Sequence, residues 1–194
     1  DIDRLLELTK QVAPAALPMS VSHRTYRREP SFTVAIARDP AFNFMYEANI
    51  RYLHHLGEVT YFSPLADTSL PDADFVYLPG GYPELYLAAL SANRPMLQSI
   101  RRYVENGGKL LAECGGMMYL CDEIRDKNGD VYPMAGVLHQ SATMENMKLR
   151  LGYRTLLYDD ARLKGHEFHY SRLVERQDPL PSCAVAYTAK GVET

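Results

Sequence analysis

The 194-residue chain is short of several things, and each shortage removes a class of function. It has no basic excess: 21 Lys and Arg stand against 24 Asp and Glu, a formal net charge of −3. Nothing therefore drives phosphate-backbone binding, and no nucleic-acid partner is expected. No apolar run approaches the roughly 20 residues of a membrane-spanning helix, and the opening DIDRLLELTK is too acidic for a signal peptide. No membrane partner is expected either. Cysteine is scarce, with only Cys114, Cys121 and Cys183, and these form neither a CxxC pair nor a regular framework. An odd, sparse set predicts free thiols in a reducing compartment, with the cytoplasm as the default. Internal repeats and low-complexity tracts are absent too. What is present, 46% hydrophobic and 23% charged residues, suffices to bury a full core.

Along the chain, residues 1–12 read as a short helix with Leu5, Leu6 and Leu8 on one side. Pro14, Pro18 and Pro30 then interrupt a polar and basic stretch that cannot be one regular element. Residues 1–30 are thus expected to be a helix and linker left from a preceding domain, and 31–194 the folded domain. The closing AKGVET, with no finishing element, is expected to be a trimmed end. From Ser31 the rhythm changes. Phe32–Ala37, Val59–Phe62, Asp74–Leu78 and Lys109–Glu113 are short apolar runs, as in strands covered on both faces. Helical spacing falls between them, over Phe44–Leu56, over Pro83–Glu105 with a break near Asn93-Arg94-Pro95, and after Gly116 to about Cys121. Such alternation predicts an α/β fold, a doubly wound, mostly parallel sheet flanked by helices. After the turn at Asp126–Asp130, residues 131–139, 148–158, 166–175 and 184–189 read as extra, largely antiparallel strands that fold back across the first sheet.

Ligands of open α/β sheets gather at the carboxyl ends of the strands, where this chain carries two glycine pairs. Ala112-Glu113-Cys114-Gly115-Gly116, between a strand and a helix, has the order of a nucleophile elbow, G-x-[S/C]-x-G, with Ala at the first small position. There the helix N-terminus is expected to lower the thiol pKa. The competing reading is a buried core cysteine before a tight turn. In Pro79-Gly80-Gly81-Tyr82-Pro83-Glu84, the backbone N–H of Gly80 or Gly81, with that of Gly115, suits an oxyanion hole; the alternative is a plain strand-to-helix turn with Pro83 at the first helical position. Gly165-His166-Glu167-Phe168-His169-Tyr170-Ser171 is not the H-E-x-x-H of zinc proteases. On a strand, His166 and His169 point to opposite faces, so no metal site is expected. Glu167, His169 and Ser171 share one face, which suits a base activating a thiol, although a half-exposed strand with solvated polar residues fits as well. Cys121 and Cys183 read as core or surface thiols, and His54-His55 as helix-end cations.

Together the segments AIARDPAFNFMYEANIRYLHHLGEVTYFSPLAD, LPGGYPELY, AECGGMMYL and GHEFHYS closely resemble the C-terminal amidotransferase domain of cobyrinic acid a,c-diamide synthases, in the cobalamin-synthesis branch of the class I glutamine amidotransferase-like superfamily. The likeness runs from about Phe32 to Tyr187. It implies that Cys114 attacks the side-chain amide of glutamine, that His169 raises the nucleophilicity of the thiol and then protonates ammonia, and that Gly81 and Gly115 hold the oxyanion. It implies no cofactor in this domain. ATP and Mg²⁺ would act in an N-terminal synthetase domain, the partner that receives the ammonia and amidates cobyrinic acid. Superfamily members usually place a Glu two residues after the histidine; here that residue is Ser171. A Cys-His dyad is therefore expected, with Glu167 either orienting the imidazole or serving as a structural ion-pair or hydrogen-bond partner. Two other roles stay open: a non-catalytic docking module, and an amidotransferase half for another tetrapyrrole or a cell-wall precursor.

Overall fold

Short β-branched runs separated by amphipathic segments give the chain its central layer. The computed structural model describes residues 2–4, 7, 32–175, 178 and 180–193. Of the helix expected over 1–12, the described residues 2–4 and 7 are helical, and the linker reading with Pro14, Pro18 and Pro30 lies outside the described residues. Four strands, β1 (Thr33–Ala37), β2 (Glu58–Phe62), β3 (Phe75–Leu78) and β4 (Lys109–Ala112), form a parallel sheet in the order β2-β1-β3-β4. Its two faces pack differently. Val34, Ile36 and Tyr77 meet Ile50 and Leu53 of helix α1 (Glu47–Leu56). Ala35, Ala37, Val76 and Leu78 meet the larger core formed by α2 (Leu87–Ala92), α3 (Arg94–Glu105) and α4 (Gly115–Leu120). Helices thus cover both faces, as the near-continuous apolar strands require.

The break predicted near Asn93 is a helix cap. The Asn93 side-chain oxygen accepts from the Met96 amide of α3, while its Nδ2 donates to the Pro64 and Asp67 carbonyls, both at 2.8 Å. Asp39, just past β1, accepts from the Ala41 and Phe42 amides on one oxygen and from Ser63 Oγ and the Leu65 amide on the other. It ties together the carboxyl ends of β1 and β2 and fixes the Ala41–Phe44 turn beside β3.

The second half departs from the expected layout. The helix expected to run to about Cys121 ends at Leu120 with Cys121 as its C-cap, and Cys121 also opens β5 (Cys121–Arg125), which pairs antiparallel with β6 (Val131–Pro133) and parallel with β7 (Leu138–Thr143); β10 (Arg172–Leu173) completes this mixed sheet on the far edge of β7. β8 (Arg150–Tyr158) and β9 (Ala161–His169) form a long hairpin, joined by β11 (Val185–Thr188) in an antiparallel sheet of its own. The later strands therefore do not extend the first sheet. The apolar interior is complete without the hairpin: among the described residues, the buried core ends at Met144.

Candidate active site

Cys114 sits where β4 gives way to α4. The Glu113 amide donates to the Leu78 carbonyl at 3.0 Å, continuing the parallel ladder, and the Gly116 amide donates to the Glu113 and Pro79 carbonyls. Between these bonds Cys114 adopts φ 48, ψ −109, a left-handed conformation sparsely populated by residues with a side chain. The glycines after it are there for space. A Cβ on Gly116 would lie 2.2 Å from the Leu78 carbonyl oxygen, and one on Gly115 would lie 2.7 Å from Pro83 Cδ. Opposite, Gly81 is pinned by the Ala41–Phe44 turn: the Tyr82 amide donates to the Ala41 carbonyl, and a Cβ on Gly81 would come within 2.1 Å of that oxygen.

Both glycines face the thiol. The backbone N–H groups of Gly115 and Gly81 lie beside the Cys114 sulfur and favour its thiolate. Partial desolvation of the thiol, in a residue that is otherwise exposed, outweighs them, and the carboxylates of Glu84 and Glu113 add to it, so the thiol pKa is raised. This corrects the expectation of a depressed thiol pKa: α4 is six residues long, and its amides are opposed by burial and two nearby carboxylates. Glu84 is itself half-buried, and desolvation raises its pKa. Glu113 is engaged by the Tyr77 hydroxyl, which donates to Oε2 at 2.5 Å.

A cavity of about 580 Å³ opens above the sulfur, and the β8–β9 hairpin supplies its far wall. Cys114, Gly81, Glu84, His169 and Ser171 all line it, so the nucleophile candidate and the base candidate face one space. Strand parity holds along β9: His166 and Phe168 lie opposite Tyr153 and Leu151 on one face, Glu167 and His169 opposite Gly152 and Arg150 on the other. Both histidines nevertheless reach the cavity, because His169 is the last residue of β9 and the chain turns through Tyr170 and Ser171. His169 Nδ1 lies 2.7 Å from the Ser171 carbonyl oxygen, on the cavity wall, and Nε2 lies 2.8 Å from Glu167 Oε1, which is not part of that wall. Both partners are hydrogen-bond acceptors. Glu167 Oε2 is ion-paired with Arg154.

Four of these features were not visible in the sequence. Glu84 beside the thiol, the Ser171 carbonyl on Nδ1 and Arg154 behind Glu167 all need the three-dimensional pairing. The fourth is an aromatic latch: His166 meets Phe44 and Tyr46 edge-on, with the Tyr46 hydroxyl 3.3 Å from Nδ1, and this contact holds the hairpin to the α1 side of the sheet. The paired aromatics of Phe44-x-Tyr46 were the available signal. All three cysteines are free; Cys121 is buried, while Cys183 and Cys114 are exposed, so Cys114 is not the buried core thiol of the competing reading. Among the described residues, no three His, Cys, Asp or Glu side chains converge as metal ligands, and no helix is long and apolar enough to cross a membrane.

A cysteine elbow at the end of the parallel edge strand β4, two glycines beside its thiol and a histidine across the cavity, on this fold, fit the glutamine amidotransferase class. Solved structures share the fold: PurLQS from Thermotoga maritima superposes with a TM-score of 0.53 at 15% identity, covering 84% of this chain and 76% of that one. A structure titled glutamine amidotransferase gives 0.53 at 18% identity, covering 82% and 86%. Residues 33–194 match the family described as the CobB/CobQ-like glutamine amidotransferase domain, and the chain belongs to it. It is 41% identical over 180 residues to the hydrogenobyrinate a,c-diamide synthase of Pseudomonas aeruginosa, covering 92% of this chain and 38% of that protein. It is 46% identical over 145 residues to the cobyrinate a,c-diamide synthase of Fusobacterium nucleatum, covering 72% and 33%. The chain thus spans well under half the length of these curated relatives.

Proposed function

We propose that residues 31–194 form the glutaminase half of an a,c-diamide synthase acting on cobyrinic acid or its hydrogenobyrinic counterpart. The observation that carries this reading is Cys114, held at positive φ with the Gly81 and Gly115 amides on its sulfur, in a cavity also lined by His169. Glutamine enters with its side-chain amide at the sulfur. Glu84, a carboxylate on the cavity wall, suits its α-ammonium group. Because Nε2 is held by Glu167 away from the cavity, Nδ1 is the nitrogen that takes the proton from the thiol, and once protonated it can donate to the Ser171 carbonyl until it gives that proton up. The thiol proton passes to His169 and the sulfur attacks the amide carbon. The Gly81 and Gly115 amides, released from the sulfur, take the oxyanion. The carbon–nitrogen bond then breaks as His169 returns the proton to the leaving ammonia. Water attacks the thioester, giving glutamate and the free thiol. Glu167 orients the imidazole through Nε2.

The relatives are named a,c-diamide synthases and are more than twice as long as this chain. We assign ATP, Mg²⁺, activation of the acetate side chains and amide formation to a synthetase domain preceding residues 1–30, which receives the ammonia made here.

The test is Cys114→Ala in the full-length enzyme. Glutamine-supported synthesis and glutamate release are expected to vanish, while synthesis from added ammonia persists. Loss of both activities would instead make Cys114 a structural residue.

A further inference from the structure

We infer that Arg154 is a positioning residue for the proton transfers of His169, acting through Glu167. The inference rests on the reading of Cys114 and His169 above. In the β8–β9 register Arg154 lies opposite Gly165, Gly152 opposite Glu167 and Arg150 opposite His169, all on one face of the hairpin. Arg154 therefore has glycine as its neighbour two residues back along its own strand and glycine directly across from it. The first of these gaps is filled by the arginine itself: a Cβ on Gly152 would lie 2.8 Å from Arg154 Nη1. Lying across the bare position, the guanidinium reaches the diagonal cross-strand neighbour, Glu167, and pairs with its Oε2. Glu167 Oε1 is left to His169 Nε2 at 2.8 Å.

Each carboxylate oxygen thus has one partner, and the carboxylate cannot turn without losing both. A glutamate held by the imidazole alone would be free to change rotamer and swing the ring with it. The guanidinium's fixed fork removes that freedom, which a lysine's mobile ammonium does only in part. A partly exposed ion pair on a hairpin outside the apolar core contributes little to folding. Its geometric consequence is instead at the far end of the line, where His169 lines the cavity with Nδ1 toward Ser171.

The experiment compares Arg154→Met, Arg154→Lys and Gly152→Ala in the full chain, with Cys114→Ala and His169→Ala as controls. Two quantities are read: glutamate release as kcat and KM, and the ¹⁵N resonances of the His169 ring. Arg154→Met is expected to lower kcat roughly tenfold, a fraction of what a general base supplies, with KM within about twofold of the parent. The Nε2 resonance is expected to shift and the melting temperature to stay. Arg154→Lys recovers part of the rate. Gly152→Ala, which displaces only the tip of a flexible side chain, gives a smaller loss of the same kind. Unchanged kcat and ring resonances in Arg154→Met, with release abolished in both controls, overturn the role of Arg154 and leave the site intact. Release that survives Cys114→Ala overturns the site reading itself.

Discussion

A thiol with a raised pKa is an unusual nucleophile at rest, and the cause is local. Partial desolvation of the thiol and the carboxylates of Glu84 and Glu113 hold the proton on, against two amides that favour its loss. Alkylation of Cys114 should therefore stay slow through neutral pH and climb only above the ordinary thiol value of 9.0. Glu84→Gln removes one of the opposing charges, so the alkylation rate at fixed pH is expected to rise by a factor of roughly 2–10, measured by mass spectrometry of the labelled peptide. The same variant should raise KM for glutamine if Glu84 meets the α-ammonium group. At this scale the sequence was informative where a motif is contiguous: the elbow around Cys114 and the run holding Glu167 and His169 could be read directly. It was silent on Glu84 and Arg154, because their partners come from other segments and no one-dimensional spacing encodes a diagonal pair across a hairpin.

Among the elements, the strand-to-helix elbow depends on backbone approach more than on side-chain burial. α4 starts so close to β3 that Gly116 touches the Leu78 carbonyl, which is what lets Cys114 take its left-handed conformation directly above the sheet. Gly116→Ala is expected to destabilise the fold by about 2–3 kcal/mol, read from urea unfolding, since rigid backbone on both sides must move. The helical and parallel strand segments of the first half were legible because each carries its own period, with Asn93 marking the start of α3. The extra strands were legible as strands but not as sheets. Their partners are set by register: β7 runs parallel to β5 while β8 turns back on β9, a choice that alternation of apolar and polar residues does not specify.

The whole molecule has a predicted pH response on its alkaline side. Burial pushes the Cys121 thiol up to about 12 from 9.0 and raises the hydroxyl pKa of Tyr77 and Tyr119. A group that keeps its proton to higher pH when folded gives its full stabilisation below the unfolded value and loses it as pH rises toward the folded one. The melting temperature should therefore be insensitive to these groups below about pH 9 and fall between 9 and 12. Tyr119→Phe should flatten that fall. The Tyr119 hydroxyl is fully buried with no hydrogen-bond partner, so its removal is expected to raise stability by about 1 kcal/mol at neutral pH. Calorimetry across pH checks both. Cys114 is exposed at a strand end whose following helix packs into the core, whereas His169 rides on a ribbon outside that core, fastened near the cavity by a stack of ring edges. Under the proposed function, a tilt of that ribbon would carry His169 away from Cys114 while the interior stays packed, a clutch on glutamine hydrolysis that leaves the machine intact.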